Sequence, residues 1–276
     1  MRNIAVMNVR KIIRINTIMS AKSERLRCMI KNYLRSPQPD ISFLGECPIC
    51  FLPLPLDPRK SILATCCCKT ICKGCNYANQ EREIEQGLQP RCAFCREPAP
   101  DTDEESDRNV MKRIKKHNDP VAMTHMGKEH DREGDYVKAL EYYTKAIELD
   151  DKAAHFCLGN LYYYGDGVDK DEKKAIHHYE EAAIGGHPQA RGILGFHENI
   201  RGRFERAVKH FIIAANLGCD ISLKAVKDLF VEGIASKEDY AAALRGHQAA
   251  VDATKSSQRE MGEAFFDALR GASARS

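Results

Sequence analysis

The chain has 276 residues, which is enough for two ordinary domains. Hydrophobic residues make up 43% and charged residues 29% of the sequence, a composition typical of globular proteins, and the formal net charge of +3 is too small to indicate nucleic-acid binding by itself. No apolar run approaches the length that a transmembrane helix needs, so we expect no membrane-spanning segment and a cytoplasmic or nuclear location.

Residues 1–43 form a basic segment in which Glu24 is the only acidic residue before Asp40. Such a composition is typical of an organelle transit peptide, of an arm that binds RNA or an anionic membrane, and of a disordered extension. Only Tyr33 and Phe43 are available to stack on bases, which makes nucleic-acid binding the weaker alternative. We expect a basic, disordered N-terminal arm, with organelle targeting as the alternative.

Nine of the twelve cysteines lie in one short segment of the chain. They form three Cys-x-x-Cys pairs and one run of three, namely Cys47 with Cys50, Cys72 with Cys75, Cys92 with Cys95, and the run Cys66, Cys67 and Cys68. A tetrahedral zinc ion takes four such ligands, so the segment predicts a module that holds two zinc ions. A disulfide framework is disfavoured because no secretory signal peptide precedes the segment, and a redox site because a redox motif would occur only once.

The order of these pairs resembles that of a RING-type zinc finger, in an all-cysteine variant because the segment contains no histidine. The resemblance implies a cross-braced arrangement, in which the first and third pairs share one zinc ion and the second and fourth share the other. The implied ligands of the first ion are Cys47, Cys50, Cys72 and Cys75, and those of the second are Cys92, Cys95 and two members of the triplet. Adjacent side chains chelate one ion only with strain, which favours Cys66 together with Cys68 as ligands. The spacing to Cys72 also admits Cys67, so the choice within the triplet stays open.

The same resemblance implies that two residues recruit a ubiquitin-conjugating enzyme. Ile49 stands where RING fingers contact that enzyme, and Arg96 stands where many active members carry an arginine that bridges the enzyme and ubiquitin. Phe94 lies between the last two cysteines, and the chain has no Trp, so the groove tryptophan of many active RING fingers is missing. The alternatives are packing of Ile49 and Phe94 within a small core, and a solvated linker charge at Arg96.

Two helices are predicted before the next domain, one inside the cysteine module and one after it. Good helix formers over residues 79–88 predict a short helix between the third and fourth cysteine pairs. Residues 99–119 read as a charged linker, with an acidic cluster before a basic one, and hydrophobic spacing predicts a helix from about Asn109.

Residues 120–256 contain internal repeats, with matching alanines at steps of 36 and 32 residues. Each copy places a glycine, an alanine and an aromatic residue at matching positions, namely Gly127, Ala139 and Tyr143, then Gly159, Ala175 and Tyr179, then Gly195, Ala207 and Phe211. This pattern predicts helix–turn–helix units in which small residues permit close helix approach and the aromatic ring fills the space between hairpins. A weaker fourth copy spans residues 222–253. One hairpin cannot bury this face alone, so stacking of several copies is required.

The copy at residues 158–190 strongly resembles a SEL-one-like repeat, a relative of the tetratricopeptide repeat. The resemblance implies an α-solenoid that binds a peptide or protein. The glycine-rich loop at residues 165–168 is not a phosphate-binding loop, because no Lys-Ser or Lys-Thr pair follows it. We interpret the scattered histidines of the repeats as surface residues.

Residues 257–276 predict a last helix and a polar tail, with Phe265, Phe266 and Leu269 capping the repeat stack. The predicted fold is therefore mainly α, with a small two-zinc cross-braced RING-like module at residues 44–98 followed by an α-solenoid of helix–turn–helix repeats. We predict a ubiquitin-protein ligase without a nucleophile of its own, which recruits a ubiquitin-conjugating enzyme through the zinc module and a protein substrate through the repeats. The alternative is a non-enzymatic, zinc-stabilised protein–protein interaction scaffold.

Overall fold

Helices dominate the computed structural model of this protein, which describes residues 43–273 and the side chains of residues 43–268. Nearly all of the predicted N-terminal arm therefore lies outside the described residues. A two-stranded antiparallel sheet, β1 (Ser61–Ala64) and β2 (Lys69–Cys72), precedes the helices. The helices of the described part of the chain are α1 (Lys73–Glu85), α2 (Asp103–His117), α3 (Pro120–Arg132), α4 (Tyr136–Glu148), α5 (Lys152–Tyr164), α6 (Glu172–Ile184), α7 (Pro188–Ile200), α8 (Phe204–Asn216), α9 (Asp220–Val231), α10 (Lys237–Ala253) and α11 (Ser257–Ser273). None of these helices is long and apolar enough to cross a membrane.

Helix α2 begins earlier than its hydrophobic spacing predicts, at Asp103 rather than near Asn109. The side chain of Thr102 accepts a hydrogen bond from the backbone N–H of Glu105 and so caps the first turn. The acidic residues of that turn stabilise the positive end of the helix dipole. The acidic cluster of the predicted linker is therefore the start of a helix.

The repeat helices pack as the glycine and aromatic pattern predicts. A Cβ atom added at Gly127 would lie 2.5 Å from Cε1 of Tyr143, and one added at Gly159 would lie 2.7 Å from Cε1 of Tyr179. The matching alanines of the three copies, Ala139, Ala175 and Ala207, are fully buried. Close approach of α3 to α4, of α5 to α6 and of α7 to α8 therefore depends on the missing glycine side chains. The weaker fourth copy corresponds to α9 and α10, which pack against α8 and against each other.

Aspartate residues start four successive helices of the repeat region. Asp119, Asp135, Asp151 and Asp171 each accept a hydrogen bond from a backbone N–H in the first turn of the helix that follows. Each bond satisfies a donor that has no partner within its helix. Contacts within each local segment, and not packing between helices, thus define where these helices start.

Helix α11 packs against α1 of the cysteine module, and not on the repeat stack as a cap. The ring of Phe265 lies 5.0 Å from that of Tyr77, and the ammonium of Lys73 lies 5.1 Å from the centre of the Phe266 ring. The prediction that these phenylalanines close the solenoid is wrong. The glycines that allow this helix crossing, Gly74 and Gly262, lie far apart in the sequence.

Three repeat histidines are buried, His155 among them, and the interpretation of the histidines as surface residues is wrong for His187 and His210 as well. His187 is 5% exposed and stacks between the rings of Phe43 and Phe156, at centroid distances of 4.2 and 4.1 Å. His210 is 2% exposed. Burial lowers the pKa of the His187 and His210 imidazoles to about 3, so both rings are neutral at physiological pH.

The cysteine module and the repeats are packed together, and the residues that the structure describes form one compact unit. Cys68 shares a small core with Val110 and Ala122, from α2 and α3. At the other end of the repeats, Pro55 and Leu217 line a common cleft of about 370 Å³. The module therefore contacts both the first and the last repeats.

Candidate metal centre and repeat groove

Four cysteines from two separate parts of the module form the first sulfur cluster. The Sγ atoms of Cys47, Cys50, Cys72 and Cys75 all lie within 4.8 Å of one another. The first pair comes from a tight turn before β1, and the second pair from the end of β2 and the start of α1. The structure thus brings together the first and third pairs, which is the alternating arrangement that the RING resemblance implies.

The second sulfur cluster contains Cys66, Cys67, Cys92 and Cys95, again with all Sγ atoms within 4.8 Å of one another. Cys68 was preferred to Cys67 for this cluster, with Cys67 left as the alternative, and the structure corrects that preference by placing Cys67 there. The backbone of Cys68 is left-handed, with φ of 51°, and its thiol donates to the carbonyl of Thr65 at 3.7 Å. The side chain of Cys68 therefore turns towards α2 and α3, while its neighbour faces the other three sulfurs.

The two Cys-x-x-Cys turns at either end of the module have the same backbone design. In the first, the N–H of Phe51 donates to the carbonyl of Cys47 and Phe51 is left-handed, with φ of 57°. In the last, the N–H of Arg96 donates to the carbonyl of Cys92, and Arg96 has φ of 64°. Each turn directs two thiols to the same side, as chelation of one metal ion requires.

The sulfur separations fit zinc. Zn–S bonds of about 2.3 Å in a tetrahedron place the sulfurs roughly 3.8 Å apart. The structure has 3.8 Å between the Sγ atoms of Cys50 and Cys72, 3.9 Å between those of Cys67 and Cys92, and 3.4 Å between those of Cys66 and Cys95. All cysteines in the described part of the chain are free thiols. The donor set, the number of donors and their spacing all suit two structural zinc ions.

The pKa values of the cluster thiols shift in both directions. Burial raises the pKa of the Cys67 and Cys75 thiols to about 12, and it raises the pKa of Cys66 as well. Hydrogen bonding with Cys72 instead lowers the pKa of Cys47 to about 4. The thiols of Cys66, Cys67 and Cys75 are therefore neutral when no cation is near, whereas a bound divalent cation stabilises thiolates.

The two residues predicted to recruit a ubiquitin-conjugating enzyme differ in availability. Ile49 is 36% exposed beside the first sulfur cluster. The guanidinium of Arg96 donates to the amide oxygen of Asn79 and lies 3.8 Å from the carboxylate of Glu83, on α1. Arg96 is thus paired within its own module, while 47% of its side chain stays exposed to solvent.

Arg259 of α11 is the residue at the sulfur clusters that the sequence does not reveal. Its side chain is buried and donates to the Sγ atom of Cys50 at 3.3 Å. The two residues are separated by 209 positions in the chain. No spacing rule connects them, so only the folded structure could identify the contact.

A groove with aromatic and aliphatic walls lies on the repeats, between α5, α6 and α7. It encloses about 400 Å³, and its most exposed apolar side chains are Tyr164 at 67% and Ile200 at 85%. Phe196, which is 41% exposed, also lines it. Lys170 and Arg201 lie at its rim, where Arg201 pairs with Glu172 at 3.1 Å.

The repeat region matches a known family. The Sel1 repeat model matches residues 120–151, 152–187 and 204–219, which together make up less than a third of the chain. These residues include the glycine and aromatic positions of the first two copies. The described helices α3 to α6 therefore correspond to two complete Sel1 repeats.

Among curated proteins, the chain is similar to "Putative beta-lactamase HcpC" from two strains of Helicobacter pylori. The identity is 39% over 56 residues for strain J99, and the match covers 20% of this chain and 19% of the relative. For strain 26695 the identity is 38% over 52 residues, covering 19% and 18%. The chain therefore matches about a fifth of the length of these relatives.

Two solved structures align with part of this chain. A Sel1 repeat protein from Oxalobacter formigenes is 26% identical with a TM-score of 0.48, over 65% of this chain and 72% of that one. The protective antigen c5321 of uropathogenic Escherichia coli, which displays an SLR fold, is 22% identical with a TM-score of 0.42, over 71% and 40%. The matches of the Sel1 repeat model and the packing of the helices agree that this protein contains Sel1 repeats.

Proposed function

We propose that this protein is a zinc-stabilised protein–protein interaction scaffold, with the repeat groove between α5, α6 and α7 as its binding surface. The observation that carries the proposal is the exposure of large apolar side chains along that groove. Tyr164 and Ile200 are among the most exposed large apolar residues in the described part of the chain. Contiguous apolar surface of this kind is typical of an interaction site.

The groove fits a partner segment that carries an apolar side chain next to an acidic one. The apolar walls would enclose the first. At the rim, Glu172 offsets Arg201, while the ammonium of Lys170 stands 5.5 Å from the centre of the Tyr163 ring and leaves a net positive charge. A carboxylate on the partner would complement that charge.

Zinc, in this proposal, folds the cysteine module and does no chemistry. Each cluster offers four cysteine ligands, which leaves a tetrahedral ion no open position for a substrate or a water molecule. The ions would link the turn before β1, the β1–β2 hairpin, α1 and the last Cys-x-x-Cys turn.

Selection from a random-peptide display library on the full chain tests the binding function. We expect enrichment of peptides with adjacent apolar and acidic residues. Their affinity should fall at least about ten-fold in a Tyr164→Ala/Ile200→Ala variant, because two buried apolar side chains contribute about 1.4 kcal/mol or more. Val231→Ala is the matched control, since Val231 is exposed but lies outside the groove. Absence of enrichment, or enrichment unaffected by the double substitution, would contradict the proposal.

A second candidate function is ubiquitin transfer. The observation that favours it is the alternating pairing of the cysteines together with the exposure of Ile49 beside the first cluster. A ligase of this type holds the ubiquitin thioester in a reactive pose, which is catalysis by positioning. The contacts of Arg96 with Asn79 and Glu83 weigh against it, because they compete for one nitrogen of the guanidinium that would bridge the enzyme and ubiquitin.

Autoubiquitination with a panel of conjugating enzymes separates the two candidates. A ligase should lose activity in Ile49→Ala and in Arg96→Ala while its zinc content is unchanged. A scaffold should show no activity with any enzyme of the panel, and neither substitution should alter peptide binding.

A further inference from the structure

Helix α11 crosses the cysteine module at a contact between two backbones. A Cβ atom added at Gly262 would lie 2.8 Å from the Cα of Gly74 and 2.9 Å from the carbonyl oxygen of Lys73. The side chain of Gln258 donates to the carbonyl of Gly74 at 3.3 Å. These contacts surround the start of α1, directly after Cys72. The C-terminal helix is therefore packed on the element that presents the third cysteine pair.

The side chain of Arg259 enters the module beside this crossing. It is 4% exposed. Its guanidinium donates to the carbonyl oxygens of Pro53 and Leu52 at 2.7 and 3.0 Å, and to the Sγ atom of Cys50 at 3.3 Å. Two of these acceptors belong to the turn that carries the first cysteine pair, so a single side chain fixes both the turn and one of its sulfurs.

Charge explains why a buried arginine is favourable at this place. Four thiolates around one divalent ion leave a net charge of −2 in a buried cluster. An isolated buried charge is costly, whereas a pair with several hydrogen bonds offsets much of that cost. The planar guanidinium donates to a sulfur and to carbonyl oxygens at the same time, which an ammonium group cannot match.

We propose that Arg259 is a positioning residue of the first zinc cluster, and that α11 is the C-terminal element of the cysteine module. The inference rests on the proposed zinc binding. Arg259 orients Cys50 and offsets the charge of the cluster. The first cluster and the C-terminal helix stabilise each other, although they lie at opposite ends of the described sequence. Since such coupling is reciprocal, loss of zinc loosens α11, and loss of Arg259 weakens zinc binding.

The test measures zinc release from the full-length protein to a chromogenic chelator, in the wild type, Arg259→Met, Arg259→Lys and Lys255→Met. In Arg259→Met, we expect one of the two ions to leave about ten-fold faster or more, the usual effect of removing a residue that orients a metal ligand. Mass spectrometry after brief alkylation should find new modification at Cys50 and Cys47, and none at Cys92 and Cys95. Arg259→Lys should give an intermediate rate. Lys255→Met removes an exposed lysine from the loop between α10 and α11, and this variant should behave as the wild type.

The outcomes are distinguishable. Equal release rates and equal alkylation in the wild type and Arg259→Met would overturn the role of Arg259 while leaving zinc binding intact. A wild-type protein without zinc would overturn both proposals. Should Arg259→Met fail to fold, amide hydrogen exchange of the wild type gives the answer. Removal of zinc by a chelator should increase exchange in residues 257–268 as well as in α1, but not in α5 or α6. Unchanged exchange in residues 257–268 would overturn the inference.

Discussion

The cysteine module buries sulfur where the repeat array buries alanine and aromatic rings. In the main core of the module, five of the seven buried residues are cysteines, with Leu54 and Ile71 as the others. In the core of the first repeats, Ala139, Ala146 and Ala154 line the helix contacts, and Tyr143 fills the space between them. The comparison underlies our proposal that one part of this chain is stable through helix packing alone, whereas the other has too little apolar surface and depends on bound zinc.

Removal of zinc should produce the largest difference between the cysteine module and the repeats. We expect a strong chelator to unfold residues 44–98 and to leave most of the repeat helices intact, because structural zinc stabilises small modules by on the order of 10 kcal/mol. Limited trypsin digestion followed by mass mapping measures both regions at once. The control is chelator already saturated with zinc. Equal cleavage of the module with free and saturated chelator would show that metal does not fold it.

Substitution within the cysteine triplet should have the next largest effect. Cys67→Ser should cost the protein one zinc ion, because Cys67 belongs to the second sulfur cluster. Cys68→Ser should keep both ions, since Cys68 faces Val110 and Ala122 instead. Zinc content per chain by elemental analysis distinguishes the two variants, and the reverse result would contradict the placement of the triplet.

A methyl group added at a repeat glycine tests the close packing of the repeat helices. Gly127→Ala should destabilise the protein by about 1–3 kcal/mol, although alanine favours helices, because the added Cβ would lie 2.5 Å from Cε1 of Tyr143. Zinc content should not change. Urea denaturation monitored by circular dichroism gives the difference in free energy of unfolding. Lys128→Ala on the same helix is the control, and a Gly127→Ala variant as stable as this control would refute the close packing.

Lowering the pH should destabilise the repeats through His187, and this effect should be the smallest of the four. Burial holds its pKa at about 3, below the ordinary value of about 6.5 that applies in the unfolded chain. The unfolded state therefore binds more protons as the pH falls below 6.5. The free energy of unfolding is therefore highest above pH 6.5, and it falls by about 1 kcal/mol per pH unit as the pH drops towards 3.

His187 caps α7, where its Nδ1 accepts a hydrogen bond from the backbone N–H of Ala190 at 3.3 Å. His187→Asn should reduce this acid sensitivity between pH 7.5 and 5.5, because asparagine does not titrate and can still cap the helix. His117→Asn, at an exposed histidine, is the matched control. Thermal denaturation across the pH range provides the measurement. An acid sensitivity that is the same in all three proteins would contradict the assignment.

How far the sequence predicts this structure differs between the two regions as well. The repeats were predictable because glycine, alanine and aromatic positions recur at a fixed period, and the structure places Gly159 against Tyr179 as that period requires. The early start of α2 could have been found too, since Thr102 precedes three acidic residues in a row. Its hydrophobic spacing begins only later, which explains the error.

In the module, the pairing of the sulfur clusters was implied by the RING resemblance, but two features were not. The choice of Cys67 over Cys68 depends on a left-handed backbone at Cys68, which the hairpin turn sets and the spacing does not show. The contact of Arg259 with Cys50 depends on tertiary packing across most of the chain. Local patterns cannot encode either feature, and neither could they indicate that α11 leaves the repeats to join the module.

Native mass spectrometry of the full-length protein, purified without chelator, tests the central claim most directly. A folded chain should carry the mass of two zinc ions, and unfolding in acid should release both. A metal-free chain whose residues 44–98 still resist proteolysis would contradict the claim that metal, and not a hydrophobic core, holds the cysteine module together.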